Sequence, residues 1–273
     1  MMPDVADDAS YVIRSGVGAL QRLELLAEIC GPATDAFLER NGAERARRFL
    51  DVGCGIGAVA NRMASAGVPH AVGIDINPEV VAGASDRARR AGSGATFQVA
   101  GLDDLGRGDL VDFDVVYVRC VLSHLPDPLP ALRSLLAATR PGGLVLVEDV
   151  EVGATWSSPA EPALARHLDL YVAAARGIGA RPDVGPDLAP GLRSLGATDV
   201  TVDVVQPVLR TPQALRIHAR TMEAIAGPVL AQGLATTDEI DTLVARLDAW
   251  ADEPGVVATL PRFVQVGGRR PTG

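Results

Sequence analysis

From residue 49 onward, short apolar runs alternate with stretches whose apolar positions recur at helical spacing. The strand candidates are Phe49–Val52, Ala71–Ile74, Ala95–Val99, Phe113–Val118 and Leu144–Glu148. Each is dense in Val, Ile or Leu, as strands covered on both faces must be. The spacing predicts helices between them: Ala58 to Ala66, stopped by Gly67; Pro78 to Gly92, capped by Asn77; and Pro128 to Thr139, halted by Pro141-Gly142-Gly143. Alternation of this kind predicts βαβ units around a parallel sheet, an α/β fold.

After residue 150 the regular alternation breaks. Residues 160–178 have helical spacing, and Asp187–Leu195 is a short helix leading into a strand at Thr198–Val205. Helices are expected at Gln213–Ala226 and Thr236–Ala251, the latter opening with a capping box of Thr236 and Glu239. Its Ile240, Leu243, Val244, Leu247 and Trp250 share one stripe. Phe263–Val266 is the last strand, and residues 9–42 are mostly helical, outside the alternation. The chain therefore divides into N-terminal cap helices over 1–44, a sheet-forming core over 45–150, and a remainder over 151–273 whose cap insertions are 160–178 and 211–252.

Composition narrows the function classes. A chain of 273 residues builds one elaborated domain or two small ones. A net charge of −9 argues against a groove tracking nucleic-acid phosphates and against docking on anionic lipid. The five Phe, three Tyr and two Trp leave little for stacking on nucleobases. All 25 basic residues are Arg, so Schiff-base, P-loop-lysine and lysine-base chemistry are excluded. Cys30, Cys54 and Cys120 are odd in number and far apart, forming neither a disulfide framework nor a CxxC zinc pattern. The first ten residues hold Asp4, Asp7 and Asp8 without a basic, apolar leader, and no apolar run reaches the length of a membrane span. The expectation is a soluble, cytoplasmic protein, monomer or homodimer.

The sequence Leu50-Asp51-Val52-Gly53-Cys54-Gly55-Ile56-Gly57 sets a glycine cluster between a strand and a helix. Glycines there let the backbone approach a ligand and turn N–H groups toward it at a helix N-terminus. Asp75 ends the second strand, 18 residues past Gly57, where a carboxylate can accept hydrogen bonds from ribose hydroxyls. Gly53, Gly55 and Ala58 also satisfy the dinucleotide fingerprint, so a nicotinamide-dependent oxidoreductase remains open at this point.

Four blocks in order, LDVGCGIG at 50–57, GIDINP at 73–78, FDVVYVR at 113–119 with LSHLPDP at 122–128, and RPGG at 140–143, resemble class I S-adenosylmethionine-dependent methyltransferases. The segments after residue 150 resemble small-molecule methyltransferases of actinobacterial type. The resemblance implies a Rossmann-like sheet of seven mostly parallel strands with the last antiparallel, which the Thr198–Val205 and Phe263–Val266 candidates suit, and helical cap insertions. It implies S-adenosyl-L-methionine as cofactor, S-adenosyl-L-homocysteine as product, and a cofactor-binding role for the 45–150 core. The backbone of Gly53, Cys54, Gly55 and Gly57 then faces the methionine part, with Asp51 nearby. Asp75 binds the ribose and Ile76 packs on the adenine. Arg119 and Cys120 lie beside the sulfonium and the acceptor. Gly101 stands where the family usually has an Asp for the adenine amino group; Leu102 can offer its backbone N–H, and Asp103 can take the amino contact. Tyr11 and Arg22 are expected to close over the cofactor's carboxylate.

Methyl transfer from a sulfonium is an in-line displacement, so positioning supplies much of the catalysis. His124 is the candidate base if the nucleophile must lose a proton, with capping or packing as its alternative role. His167 and His218 lie in cap helices, facing the acceptor or simply packed, and His70 is structural. Glu148, Asp149 and Glu151 resemble an oxygen-ligand set only in composition; no metal is expected. The expected function is methyl transfer to a small-molecule acceptor, with natural-product biosynthesis as its setting and no nucleic acid or membrane as partner. A cofactor-binding protein of the same fold without methyl transfer, a cyclase or a regulatory subunit, is the alternative.

Overall fold

The computed structural model describes residues 17–272. In chain order the elements are α1 Val17–Arg40, β1 Arg48–Val52, α2 Ala58–Ser65, β2 His70–Asp75, α3 Pro78–Ala91, β3 Thr96–Val99, β4 Phe113–Arg119, α4 Pro128–Ala138 and β5 Thr139–Glu151. There follow β6 Ser157–Ser158, α5 Pro162–Gly177, α6 Leu188–Ser194, β7 Thr198–Val205, β8 Val208–Leu209, α7 Pro212–Leu215, α8 Ile217–Ala231, α9 Thr237–Ala251, β9 Val257–Thr259 and β10 Arg262–Arg269. Seven strands form one sheet in the order β3-β2-β1-β4-β5-β10-β7. Strands β1 to β5 pair in parallel, and β10 runs antiparallel to both β5 and β7. This is the Rossmann-like sheet with an antiparallel last strand. Among the described residues, no helix is long and apolar enough to cross a membrane.

Strand periodicity sorts the core onto the two faces of the sheet. Leu50, Val116, Val118, Val145, Val147, Val264 and Val266 face one way and pack with Leu132 and Leu135 of α4 and Leu188 and Leu192 of α6. Phe49, Val115, Tyr117, Leu144 and Leu146 face the other way and pack with Phe37 and Leu38 of α1 and Val59 and Met63 of α2. A third apolar cluster joins α5, α8 and α9 through Leu164, Leu170, Met222, Ile225, Leu247 and Trp250. The first, third and fourth strands and β7 follow the sequence expectation closely. The helix after β2 begins at Pro78 because Asn77 Oδ1 accepts the N–H groups of Glu79 and Val80.

Four local expectations need correction. The stretch 139–143, expected only to halt the helix, also begins β5, because Thr139 pairs with Phe113 of β4, Gly142 N–H donates to Arg270 O and Arg270 N–H donates to Gly143 O. The helix expected at Gln213–Ala226 divides into α7 and α8 at Arg216 and extends to Ala231. Thr236 Oγ1 accepts the Glu239 N–H as expected, but the Glu239 carboxylate pairs with Arg166 of α5 instead of completing the capping box. A second sheet, β6-β9-β8, was not foreseen; strands of two or three residues carry too few positions to show a period.

Candidate active site

The turn after β1 carries three glycines with positive φ: Gly53 at 67°, Gly55 at 52° and Gly57 at 76°. At Gly53 even this freedom is second to space, since a Cβ there would lie 2.4 Å from Val121 Cγ2. Asp75, at the end of β2, binds this turn directly: its Oδ2 accepts the Gly55 N–H at 3.1 Å and its Oδ1 accepts the Asn77 N–H at 3.0 Å. A carboxylate has about four lone-pair sites, so each oxygen keeps acceptor capacity for a ligand hydroxyl. Burial raises the Asp75 pKa, and the backbone donors oppose that rise. Cys54 is buried in the turn, and burial raises its thiol pKa.

Beside Asp75, Ile76 is 42% exposed, a large apolar surface at the ligand edge of the sheet. Gly101 stands against it, where a Cβ would sit 3.2 Å from Ile76 Cγ2. The Gly101 N–H donates to Asp104 Oδ2 at 2.8 Å, a partner that sequence reasoning missed. Asp103 is exposed and Leu102 half-buried in the same short turn, Leu102–Asp104.

Asp51, at the other side of the turn, is buried, and its Oδ2 accepts the Ala60 N–H at 3.2 Å. Burial pushes its pKa up to about 7, against the pull of nearby Arg119. Arg119 ends β4 and donates from Nη1 to Thr34 Oγ1 at 2.9 Å, while Thr34 donates to Glu148 Oε2 at 2.8 Å. Glu148 also accepts from Tyr117 Oη and Gln265 Nε2. Burial alone would lower the Arg119 pKa, but Tyr117, the cysteines and Glu148 around it raise it instead. The guanidinium is thus a fixed cation. Sequence reasoning missed Thr34, Tyr117 and Gln265 as its supports, because they come from α1, β4 and β10 and no local motif links them.

Cys120 follows with φ of 54°, a left-handed conformation that a non-glycine residue adopts only under constraint, and its N–H donates to Glu148 O at 3.0 Å. Burial raises the pKa of this thiol and takes Cys30 to about 12, so both remain protonated. His124 lies in the following turn, Leu122–His124, which Asp149 fastens by accepting the Leu122 and Ser123 N–H groups at 2.8 and 3.1 Å. Burial first, and then the Arg22 charge, lowers the His124 pKa to about 4. Burial likewise lifts Asp149 to about 6.

The three carboxylates of the fifth strand therefore serve different partners. Glu148 holds the Arg119 network, Asp149 holds the His124 turn, and Glu151 pairs with Arg262. Among the described residues, no group of His, Cys, Asp and Glu is arranged to hold a metal ion.

Arg22 of α1 is 9% exposed and donates from Nε to Thr221 Oγ1 of α8 at 3.0 Å. It stands near Tyr171, Cys120 and Cys30. Tyr11 lies outside the described residues. His167 and His218 are buried in the cap with ring centroids 6.1 Å apart, and His218 lies 6.3 Å from Trp250. His70 is exposed at the opposite, N-terminal end of β2. A cleft of about 410 Å³ lined by Glu28, Pro32, Val208 and Arg210 shares no residue with this constellation.

Residues 43–171 match a protein family described as a methyltransferase domain. The chain is similar to ubiquinone biosynthesis O-methyltransferase of Aromatoleum aromaticum, 29% identical over 42% of this chain and 48% of that protein. It is also similar to phosphoethanolamine N-methyltransferase 1 of Arabidopsis thaliana, 34% identical over 42% of this chain and 23% of that protein. The chain thus spans half or less of the length of these relatives. Among solved structures, the 4+2 cyclase SpnF superposes with a TM-score of 0.53 and 22% identity over 89% of this chain and 82% of that one. Phosphoethanolamine N-methyltransferase 2 of Haemonchus contortus does so with a TM-score of 0.51 and 20% identity over 82% and 48%. These structural likenesses establish the shared fold.

Proposed function

Because the chain carries, at residues 43–171, a methyltransferase domain of the class I S-adenosylmethionine-dependent family, we propose that it binds S-adenosyl-L-methionine, methylates a small organic acceptor and releases S-adenosyl-L-homocysteine. The setting is biosynthesis of natural products in the cytoplasm. The observation that carries this reading is the cradle of Gly53, Gly55 and Gly57 tied to Asp75, with the bare apolar face of Ile76 beside it.

The residues suit the cofactor in kind. Asp75 keeps acceptor capacity for two ribose hydroxyls, and Ile76 offers a flat apolar contact for the adenine. The Leu102 N–H and the exposed Asp103 carboxylate are available to the ring edge, whereas Asp104 is already committed to Gly101. The backbone of Gly53 to Gly57 lies against the methionine part, with Asp51, Arg119 and Cys120 at the end nearest the acceptor. When bound, the cofactor supplies an electrophilic methyl group on a sulfonium. The chain's own contribution is to orient the two reactants and exclude water. His124, neutral at physiological pH, is the group available to accept a proton from the acceptor.

Parallel calorimetric titrations with S-adenosylmethionine, S-adenosylhomocysteine and NAD, followed by an acceptor screen for S-adenosylhomocysteine release, test this reading. Micromolar binding of the adenosyl ligands with acceptor-dependent release supports it. Binding of NAD alone overturns it, and adenosyl binding with an isomerised, unmethylated product assigns a cyclase instead.

A further inference from the structure

Among the described residues, Arg22 is a buried cation without an anion. The residue is 9% exposed, yet among the described residues no carboxylate lies within ion-pair distance of it, and its one hydrogen bond there runs from Nε to the neutral Thr221 Oγ1. Four of its five N–H donors have no partner among the described residues. Breaking a buried ion pair by removing one partner costs several kcal/mol, so a charge held in that condition calls for a partner beyond the described residues.

The surroundings say which ligand. Arg22 stands among Tyr171 of α5, Cys120 at the end of β4, Cys30 of α1, His124 and His167. None of these belongs to the glycine turn, to Asp75 or to the Ile76 shelf, where the adenosyl part of the cofactor is read to lie. His167 and Tyr171 are one turn apart on α5, and His218 and Thr221 one turn apart on α8, so the two helices present polar pairs to the same place inside an otherwise apolar cluster. Buried polar atoms there are also unmatched: His167 Nδ1, His218 Nε2 and Trp250 Nε1 have no hydrogen-bond partner. Arg119, the other cation acting on Cys30 and Cys120, is matched by Glu148 through Thr34, which leaves Arg22 as the uncompensated charge, and Asp149 lies close enough to act on Cys120 and Tyr171. A singly charged, planar carboxylate matches a lone guanidinium fork; a phosphate dianion beside Asp149 is undercompensated.

We propose that Arg22 is the anchor for a carboxylate on the acceptor, held between α1, α5 and α8 at the end of β4. The inference rests on the reading of the chain as a methyltransferase and adds the substrate class, a small organic acid. It assigns Arg22 to the acceptor rather than to the cofactor's carboxylate.

The test uses the full chain and its Arg22→Met variant, each saturated with S-adenosylhomocysteine and titrated with benzoate, neutral benzamide and inorganic phosphate by ligand-observed NMR. Affinities for S-adenosylhomocysteine and for 5′-methylthioadenosine, which has no carboxylate, are measured in parallel. The expected result is benzoate binding to the wild type roughly tenfold tighter than benzamide, with the preference lost in Arg22→Met and S-adenosylhomocysteine affinity retained. Arg22→Met should also melt higher than the wild type in the absence of ligand, and Arg22→Lys should retain part of the preference. Equal or absent binding of benzoate and benzamide to the wild type overturns the proposal, as does preferential binding of phosphate. Loss of S-adenosylhomocysteine affinity in Arg22→Met with 5′-methylthioadenosine unchanged returns Arg22 to the cofactor and overturns it equally. Failure of the wild type to bind either adenosyl ligand is a separate result: it removes the methyltransferase reading, and the benzoate preference of the unsaturated protein then decides the carboxylate site.

Discussion

Asp75 and Gly55 are joined across the strand ends: Asp75 Oδ2 accepts the Gly55 N–H at 3.1 Å, fastening the end of β2 to the turn after β1. The same carboxylate accepts the Asn77 N–H that opens α3. One side chain therefore shapes the glycine turn and, in the proposed reading, also holds the ribose. Asp75→Ala is expected to weaken S-adenosylhomocysteine binding by about 1.5–3 kcal/mol, the scale of hydrogen bonds to a charged group. Asp75→Asn should lose less, since its carbonyl oxygen still accepts. Calorimetry on both variants checks this, and unchanged affinity in Asp75→Ala would place the ribose elsewhere.

Gly53 is the most constrained position of the turn. Its φ is 67°, and a Cβ would sit 2.4 Å from Val121 Cγ2. Gly53→Ala should destabilise the protein by about 1–3 kcal/mol through overpacking and backbone strain together. In a Val121→Ala background the steric part is relieved and about 1–2 kcal/mol of left-handed strain remains. Urea denaturation of the four proteins separates the two terms. Equal losses in both backgrounds would show that Val121 is not the obstacle.

Much of this site was legible in the sequence because its parts are local. The glycine turn, Asp75 and Ile76 lie within 26 residues of one another in a strand-turn-helix-strand context, and the glycine pattern and the strand-end carboxylate each have a direct physical meaning. The sheet followed from apolar runs that must be covered on both faces. The Arg119 network was not legible. Thr34 and Gln265 stand 231 residues apart and meet only because β10 enters the sheet beside β5 under the C-terminal half of α1. The split of α7 from α8 was equally hidden, since its residues keep helical character on both sides of Arg216.

His124, the proposed base, lies in the turn after β4 with a pKa lowered to about 4, by burial first and Arg22 second. It is neutral at pH 7 and can take a proton. If it is the base, His124→Ala lowers turnover about 10²-fold while S-adenosylhomocysteine affinity is kept. Turnover of the wild type should then fall as pH drops through about 4, where the imidazole becomes charged. His124→Gln separates the roles: an amide can replace a structural hydrogen bond but not a base. Near-normal turnover in His124→Gln would make the residue a support for the Leu122–His124 turn.

The cap histidines bear on stability. Burial lowers His167 to about 3, with help from His218 and Arg22, and lowers His218 to about 4. An unfolded chain protonates both near 6.5. Each histidine therefore contributes stability that is present above pH 6.5 and is lost as pH falls toward its folded value. Asp51 and Asp149 act in the opposite sense: burial raises them to about 7 and about 6, so each contribution is present below the unfolded carboxylate range and is lost as pH rises through the folded value. The opposed groups should leave the wild type with a shallow stability profile between pH 6.5 and about 4. Removing one side exposes the other. In His218→Gln, stability relative to the wild type should improve on acidification over that window by up to about 3 kcal/mol. Asp51→Asn should instead lose stability relative to the wild type as pH falls from about 7 to 4, because the wild type gains from protonating Asp51 and the variant does not. Urea midpoints at pH 7 and pH 4.5 read both effects, and profiles parallel to the wild type in both variants would show that neither buried group titrates with folding.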